Sequence, residues 1–237
     1  MEMKNIFKIT GTNNSTRLNL VFILVIFSFL FFKCEKDSGL PVDGDGNEYD
    51  TVVIGSQVWL AENLKTTKYN NGVSIPLITD NAQWTSMTSA AFCWYDNNPD
   101  YKEDYGALYN WYAVNSNTLC PVGWHVPTQE EWNILNTYLG DLAGAKLKDR
   151  DERLWSAENT FCGTDDYGFK ARPGGVRNST DGLFYLIMEK GLWWTSTESI
   201  NEGWINRISL QYDICKLELD RRVRPYSGIS IRCIKNE

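Results

Sequence analysis

Histidine is almost missing from this chain of 237 residues, which has His125 as its one imidazole. A metal centre built on several histidines is therefore excluded, and any histidine catalysis would have to run through His125. No Cys-x-x-Cys pair occurs among the six cysteines, which argues against thioredoxin-type and zinc-ribbon chemistry. Basic charge is short as well. Lys and Arg total 23 against 30 Asp and Glu, for a net charge of −7 and a pI of about 4.9. A phosphate-backbone binder needs a basic face, so no nucleic-acid partner is expected. No internal repeat and no long low-complexity stretch is present, which argues against a solenoid or an extended disordered chain. What the chain has in abundance is ring area: 14% of residues are aromatic, with 10 Trp and 12 Tyr. That is enough for a large core in one domain, or at most two.

Lys4, Lys8 and Arg17 precede an apolar run over residues 20–32, interrupted by Ser28. As a helix these 13 residues would reach about 20 Å, short of the roughly 30 Å hydrocarbon core. A basic start ahead of a short apolar segment is the pattern of a secretory signal peptide, predicted here over 1–33. The run ends at Lys33-Cys34, and a Cys in that place resembles the lipobox of bacterial lipoproteins, where it becomes the lipid-modified first residue. A lipobox prefers a small residue where this chain has Lys33. The other readings are an uncleaved N-terminal anchor, or cleavage elsewhere with Cys34 unmodified. Two or more acyl chains anchor stably where one does not. The implied partner is thus a membrane, held through Cys34, and the implied place is the bacterial cell envelope, as an outer-membrane lipoprotein on its surface or periplasmic face. Residues 34–47 are predicted as a polar tether and 48–237 as the folded domain. Removing 1–33 takes away Lys4, Lys8, Arg17, Lys33 and Glu2, a net +3, and leaves a self-repelling −10.

Within the domain, residues 49–54 and 57–59 read as two strands or one strand bent at Gly55. The segment YGALYNWYAV (105–114) is apolar nearly all round and reads as a short buried helix. Residues 123–126 read as a brief strand stopped by Pro127. Thr128 with Glu131 three residues later is a capping box, and Trp132, Leu135 and Leu139 follow at helical spacing up to Gly140. That predicts a helix over 128–139. Beyond 140, Gly, Asn, Asp and Thr punctuate short aromatic runs, which predicts long structured loops. Three strands are expected at 204–210, 215–219 and 229–234.

The blocks DGNEYDTVVIGSQVWLAENL (45–64), YGALYNWYAV (105–114), CPVGWHVPTQEEW (120–132), GFKARPGGVR (168–177), WWTSTE (193–198) and SIRCIK (230–235) resemble the Fibrobacter succinogenes major paralogous domain. That resemblance covers about 45–237. It implies a surface or secreted bacterial protein, often behind a lipoprotein signal, and brings no biochemical activity with it. A helix, a strand and then Val-Pro-Thr-x-x-Glu-Trp opening a second helix also resembles the formylglycine-generating-enzyme and C-type-lectin-like group. The fold so implied is α+β and C-type-lectin-like. Two helices lie against small twisted antiparallel sheets, with a long irregular loop region and the last strand pairing near residues 50–54. With Cys34 assigned to lipid, five cysteines remain, so at least one is free or pairs between chains. The resemblance implies a Cys120–Cys233 bridge. Cys162–Cys215 and Cys93–Cys162 are further pairings, and five reduced thiols are the alternative.

Trp193 and Trp194 are the main candidates for ligand contact. Successive strand residues face opposite sides, so one ring can fill the core while its neighbour is exposed as a stacking platform. Tyr95, Tyr101 and Tyr105 would border it, and in the other reading both rings lie under the loops. Arg172 and Arg177 flank Pro173-Gly174-Gly175-Val176 and are read as ligand contacts, or else as partners of Asp165-Asp166. Asp43-x-Asp45-x-Asn47 opens like a calcium loop, but its sixth and twelfth positions are Glu48 and Ile54 rather than Gly and Glu. Asp149, Asp151 and Glu152 with Asp165-Asp166 make a second acidic cluster. Neither is predicted as a metal site, and no cofactor is expected. The Glu-Pro-Asn and Trp-Asn-Asp triplets of calcium-dependent lectins are absent. Nothing in the sequence supplies a nucleophile for His125, and no block matches the catalytic cysteines of formylglycine-generating enzymes. The expectation is a non-enzymatic, lipid-anchored envelope protein that binds a glycan or an envelope or extracellular protein. The alternative is a structural or assembly module with no small ligand.

Overall fold

A computed structural model describes residues 39–151, 153–156, 162–199 and 203–237, and leaves the side chains of 220–222 aside. The expected signal peptide and Cys34 lie outside the described residues, as does Glu152. The polar stretch ceases to be a tether by Gly39. Val42 bridges Glu48, and the buried Asp43 carboxylate accepts from the amides of Asp45 and Asn47 at 2.9 and 3.0 Å, the Asn47 side chain at 2.8 Å and the Tyr49 hydroxyl at 2.6 Å. Donors on every side explain why this Asp-x-Asp-x-Asn segment closes as a turn.

In chain order the elements begin with β1 (Thr51–Ile54), β2 (Gln57–Leu60), α1 (Asn81–Thr85) and β3 (Phe92–Cys93), and continue with α2 (Lys102–Tyr105), β4 (Leu108–Tyr109), α3 (Trp111–Val114) and β5 (Trp124–His125). Next come α4 (Gln129–Leu139), α5 (Ala143–Leu147), β6 (Gly174–Arg177) and β7 (Phe184–Ile187). The last four are β8 (Lys190–Glu198), β9 (Ile205–Gln211), β10 (Glu218–Val223) and β11 (Ile234–Lys235). They form a mixed helix-and-sheet body with small antiparallel sheets: β1-β2-β11-β5, β10-β9-β8, β3-β4 and β6-β7.

Helix α4 starts where its cap puts it. The Thr128 hydroxyl accepts from Glu131 N at 3.2 Å, and the Glu131 carboxylate takes Thr128 N at 2.7 Å. The segment 105–114 is not one helix. Gly106 sits at φ +73, where α2 ends, and the Asn110 side chain caps a new helix by accepting from Ala113 N at 3.2 Å. Only Leu108–Tyr109, between those signals, is extended. The stretch expected as long loops after 140 contains regular elements as well: α5, the β6–β7 hairpin and the nine-residue β8. β10 begins three residues later than 215, because Cys215 is engaged in a bridge, and β11 reduces the expected strand at 229–234 to its last residue plus Lys235. β11 pairs with β2 and β5, not with residues 50–54: Ile234 lies opposite both Trp59 and His125. The two ends of the domain still meet in one sheet.

β8 has core on both sides. Trp194 and Leu192 join a cluster with Leu60, Tyr109, Val126 and Cys233, while Trp193 joins Trp59, Trp132, Trp155, Phe169 and Ile208. In the second cluster Trp59–Trp132 ring centroids are 4.7 Å apart and Trp132–Trp193 6.3 Å. The Cys120 and Cys233 sulfurs are 1.99 Å apart, with Cα atoms at 6.0 Å. Cys162 pairs with Cys215, Cα to Cα 5.9 Å, and the buried Cys93 is free. Burial pushes the Cys93 thiol up to about 12.

Candidate functional site

Strand alternation sends Trp193 and Trp194 to opposite faces, but both faces are covered, and both rings have zero exposure. The expected stacking platform is therefore absent at 193–194. Helix α4 closes one side through Trp132, Leu135 and Leu139, and the 109–126 stretch closes the other. Trp194 Nε1 donates to Tyr109 O at 2.7 Å, and Trp193 Nε1 to Asn63 Oδ1 at 2.9 Å.

The two arginines are also occupied within the fold. Arg177 is fully buried. Its Nε donates to Gly182 O at 2.9 Å and its Nη2 to Thr79 O and Asn81 Oδ1 at 3.0 Å each. The guanidinium lies between the rings of Trp84 and Phe184, 4.5 and 4.9 Å from their centroids. Arg172 Nε meets Asp149 Oδ2 at 2.9 Å and its Nη1 lies 3.9 Å from Asp104 Oδ1, so its carboxylate partners are Asp149 and Asp104 rather than Asp165 or Asp166. Its Nη1 donates to Glu103 O and Asp104 O, both at 3.2 Å. Among the described residues no group of three or more His, Cys, Asp or Glu is placed to hold a metal ion.

His125 is braced on both nitrogens, with Nε2 at 2.8 Å from Glu131 Oε1 and Nδ1 at 2.7 Å from Asn236 Oδ1. A general base needs a free nitrogen facing its proton donor. The recess beside it, bordered by Val126, Cys120 and Ser196, holds about 90 Å³, well below the ~300–1,000 Å³ of small-molecule sites. The hydrogen bond to Glu131 raises the His125 pKa. Burial pulls Glu131 upward, but its hydrogen bonds with His125 and Thr128 prevail and hold it below the usual carboxylate range. The pair thus stabilises the fold fully above the Glu value of the unfolded chain and below its His value, a window of about pH 5–6. The His term is lost as pH rises through the raised folded value, and the Glu term as pH falls through the depressed one. With His125 37% exposed, the effect is at most about 1 kcal/mol. The stability difference between wild type and His125→Gln should peak near pH 5–6 in urea melts and fade by about pH 8. A difference independent of pH would show that His125 carries no charge in the pair.

Apolar side chains stand open at several places, Ile134, Tyr138 and Leu142 on and just after α4 among them, and one group lies on the β6–β7 hairpin and the turn that follows it. Leu183, Tyr185, Leu186 and Met188 are all exposed there, Tyr185 at 41% and Leu183 at 46%. Leu186 and Met188 also hold positive φ, +66 and +63. That backbone region costs a bulky side chain about 1–2 kcal/mol. Opposite Leu186, Gly175 sits at φ +66, and a Cβ there would come within 2.5 Å of Tyr185 O and 2.9 Å of the Tyr95 ring. The doublet Gly174-Gly175 therefore serves the close approach of this hairpin. From the core, a row of rings leads to it: Tyr105 to Tyr101 at 5.9 Å, Tyr101 to Tyr95 at 5.6 Å and Tyr95 to Phe184 at 5.3 Å. Of the rings named from sequence, Tyr95 and Tyr101 are half open, Tyr95 meeting Phe184 directly and Tyr101 reaching it through Tyr95, while Tyr105 is buried. The hairpin escaped sequence reading, although Asp181-Gly182 ahead of the apolar run 183–188 was a turn signal.

A model of the Fibrobacter succinogenes major domain matches residues 52–235. No curated protein and no solved structure matches the chain. The chain belongs to the Fibrobacter succinogenes major domain family.

Proposed function

We propose that the protein is an exported, lipid-anchored module of the bacterial cell envelope, outer membrane included, that binds another envelope or extracellular protein through the 183–188 hairpin. It is a binder, not an enzyme, and its fold is read as C-type-lectin-like: a strand–helix–strand–helix order with the first and last strands in one sheet supports that reading. The apolar run ending at Cys34, the acidic surface and two cysteine pairs at disulfide distance support export to an oxidising compartment. One observation carries the binding surface: Leu186 and Met188 are exposed and held at positive φ. Strain that burial does not repay is retained where the side chain meets something else. Sugar rings stack on flat aromatic faces, and with Trp193 and Trp194 buried the exposed side chains of 183–188 are three aliphatic ones and a single ring, Tyr185, which favours a protein over a glycan.

Affinity capture from membranes of an exporting bacterial cell tests this. Leu186→Gly should raise stability by about 0.5–1 kcal/mol, since Gly tolerates the positive φ, yet cut protein capture about tenfold or more. Cys34→Ser should move the protein to the soluble fraction without touching capture. Polysaccharide binding lost on Tyr101→Ala would make the ligand a glycan, and no capture by either route would leave a purely structural module.

A further inference from the structure

Helix α5 ends at a lysine with an unusual neighbourhood. Lys148 is fully buried, and its Nζ donates to Tyr212 O at 3.1 Å and Ile214 O at 2.9 Å. An ammonium has three protons, and Sγ of Cys162 lies 3.5 Å from the same Nζ. The Trp155 ring covers it, 5.2 Å to the centroid. Both sides of the Cys162–Cys215 bridge are pinned to this helix. Ala145 N donates to Cys215 O at 3.1 Å, Thr164 N to Ala145 O at 2.8 Å, and Lys148 pairs in a bridge with Ala171. Cys162 and Cys215 are each half-buried, whereas Cys120 and Cys233 are closed off from solvent.

We propose that Cys162–Cys215 is a thiol-exchange site for small dithiols, at which Lys148 receives the Cys162 sulfur as the departing thiolate while Cys120–Cys233 stays closed. An incoming thiolate attacks Cys215 Sγ. The bond between the two cysteine sulfurs breaks, and its electron pair leaves on Cys162. The second thiol of the reagent then displaces Cys215. The dithiol is oxidised by two electrons to its cyclic disulfide and the protein bridge is reduced by two. Of the reagent's two protons, one ends on Cys215 and one passes to solvent, because Cys162 remains a thiolate against the ammonium. Exchange runs faster the better the leaving thiolate is stabilised, and a cation at contact distance is a recognised source of that stabilisation. The converse holds as well. Burial pushes Lys148 down to about 8, with Asp213 acting in the opposite sense, and an anion formed at Cys162 favours its charged form further.

The test is graded dithiothreitol on the intact protein at neutral pH, followed by acid quench, alkylation and peptide mapping. Cys162 and Cys215 should become alkylated at roughly tenfold less reductant than Cys120 and Cys233, and glutathione should be trapped on Cys215. Lys148→Met should slow opening of this bridge about tenfold and leave Cys120–Cys233 unaffected. Equal reduction of both bridges, or an unchanged rate in Lys148→Met, would overturn the proposal. Should that variant fail to fold, the trapped adduct decides. Glutathione on Cys215 sustains the proposal, and glutathione on Cys162 or on both sulfurs defeats it.

Discussion

Replacing Asn63 by Leu is expected to remove about 3–5 kcal/mol of stability, a large part of the ~5–15 kcal/mol a domain has. Asn63 is buried with every hydrogen-bonding position used. Its Oδ1 accepts from Trp193 Nε1 at 2.9 Å and Arg232 Nη2 at 3.0 Å, and its Nδ2 donates to Tyr105 O at 2.9 Å and Arg172 O at 3.3 Å. Arg232 is itself fully buried, with Nη1 on Leu60 O at 2.9 Å and Phe169 O at 2.8 Å. A Leu side chain leaves an indole N–H and one edge of a buried guanidinium short of an acceptor, and the Tyr105 carbonyl short of a donor, while Arg172 O keeps Gly174 N at 3.1 Å. Each such orphan costs about 1–3 kcal/mol. The midpoint of thermal unfolding should fall by about 6–20 °C, at ~2–4 °C per kcal/mol for a body of this size. Asn63→Asp separates the two halves of the network. It keeps the acceptors for Trp193 and Arg232 but turns a carboxylate oxygen toward two carbonyls, so it should fall between wild type and Leu. A loss below about 1 kcal/mol for Leu would mean that water replaces the amide and the network holds nothing.

That node also explains what the family resemblance consists of. Asn63 stands in the first block, the Tyr105 and Arg172 carbonyls in the second and fourth, Trp193 in the fifth and Arg232 in the sixth. The third block enters through Trp132, whose ring lies 6.3 Å from Trp193, and through Cys120, bridged to Cys233. All six blocks thus meet inside the molecule. What they specify is a frame. The open hairpin 183–188 lies between the fourth and fifth blocks.

The division between what could be read and what could not follows the range of the interactions. Helix α4 was legible because its capping box and its apolar spacing are local. The segment 105–114 misled because its composition is apolar all round, and only Gly106 and Asn110, each an ordinary residue in isolation, break it. Alternation correctly sent Trp193 and Trp194 to opposite sides. Whether the second side is open depends on α4 and on residues 109–126, far away in the chain. Asn63 sits in AENL looking like a surface residue, since nothing near it announces Trp193 or Arg232. The positive φ of Leu186 and Met188 had no Gly or Asn to mark it.

Unlinking Cys120 from Cys233, by changing both to Ala, is expected to cost about 4–5 kcal/mol. The sequence separation is 113 residues, and in the chain-entropy model a loop of that order confines the unfolded chain by about this much. The native side of the balance adds to the loss. β11 is two residues long and holds its neighbours through Ile234 opposite Trp59 and His125, with Lys235 opposite Trp124. Cys233 O, next to that strand, receives Leu60 N at 3.0 Å, so the bridge fastens the segment entering β5 to the strand pair it must meet. The melting point should drop by about 8–20 °C. Cys93→Ala is the control, since its thiol is buried and held up at about 12, too weakly ionised at neutral pH to attack either bridge. A double variant that loses less than about 4 °C, or wild-type peptide maps in which Cys120 takes alkylating agent without reduction, would show that the bridge contributes no constraint and that the short strand closes the sheet by itself.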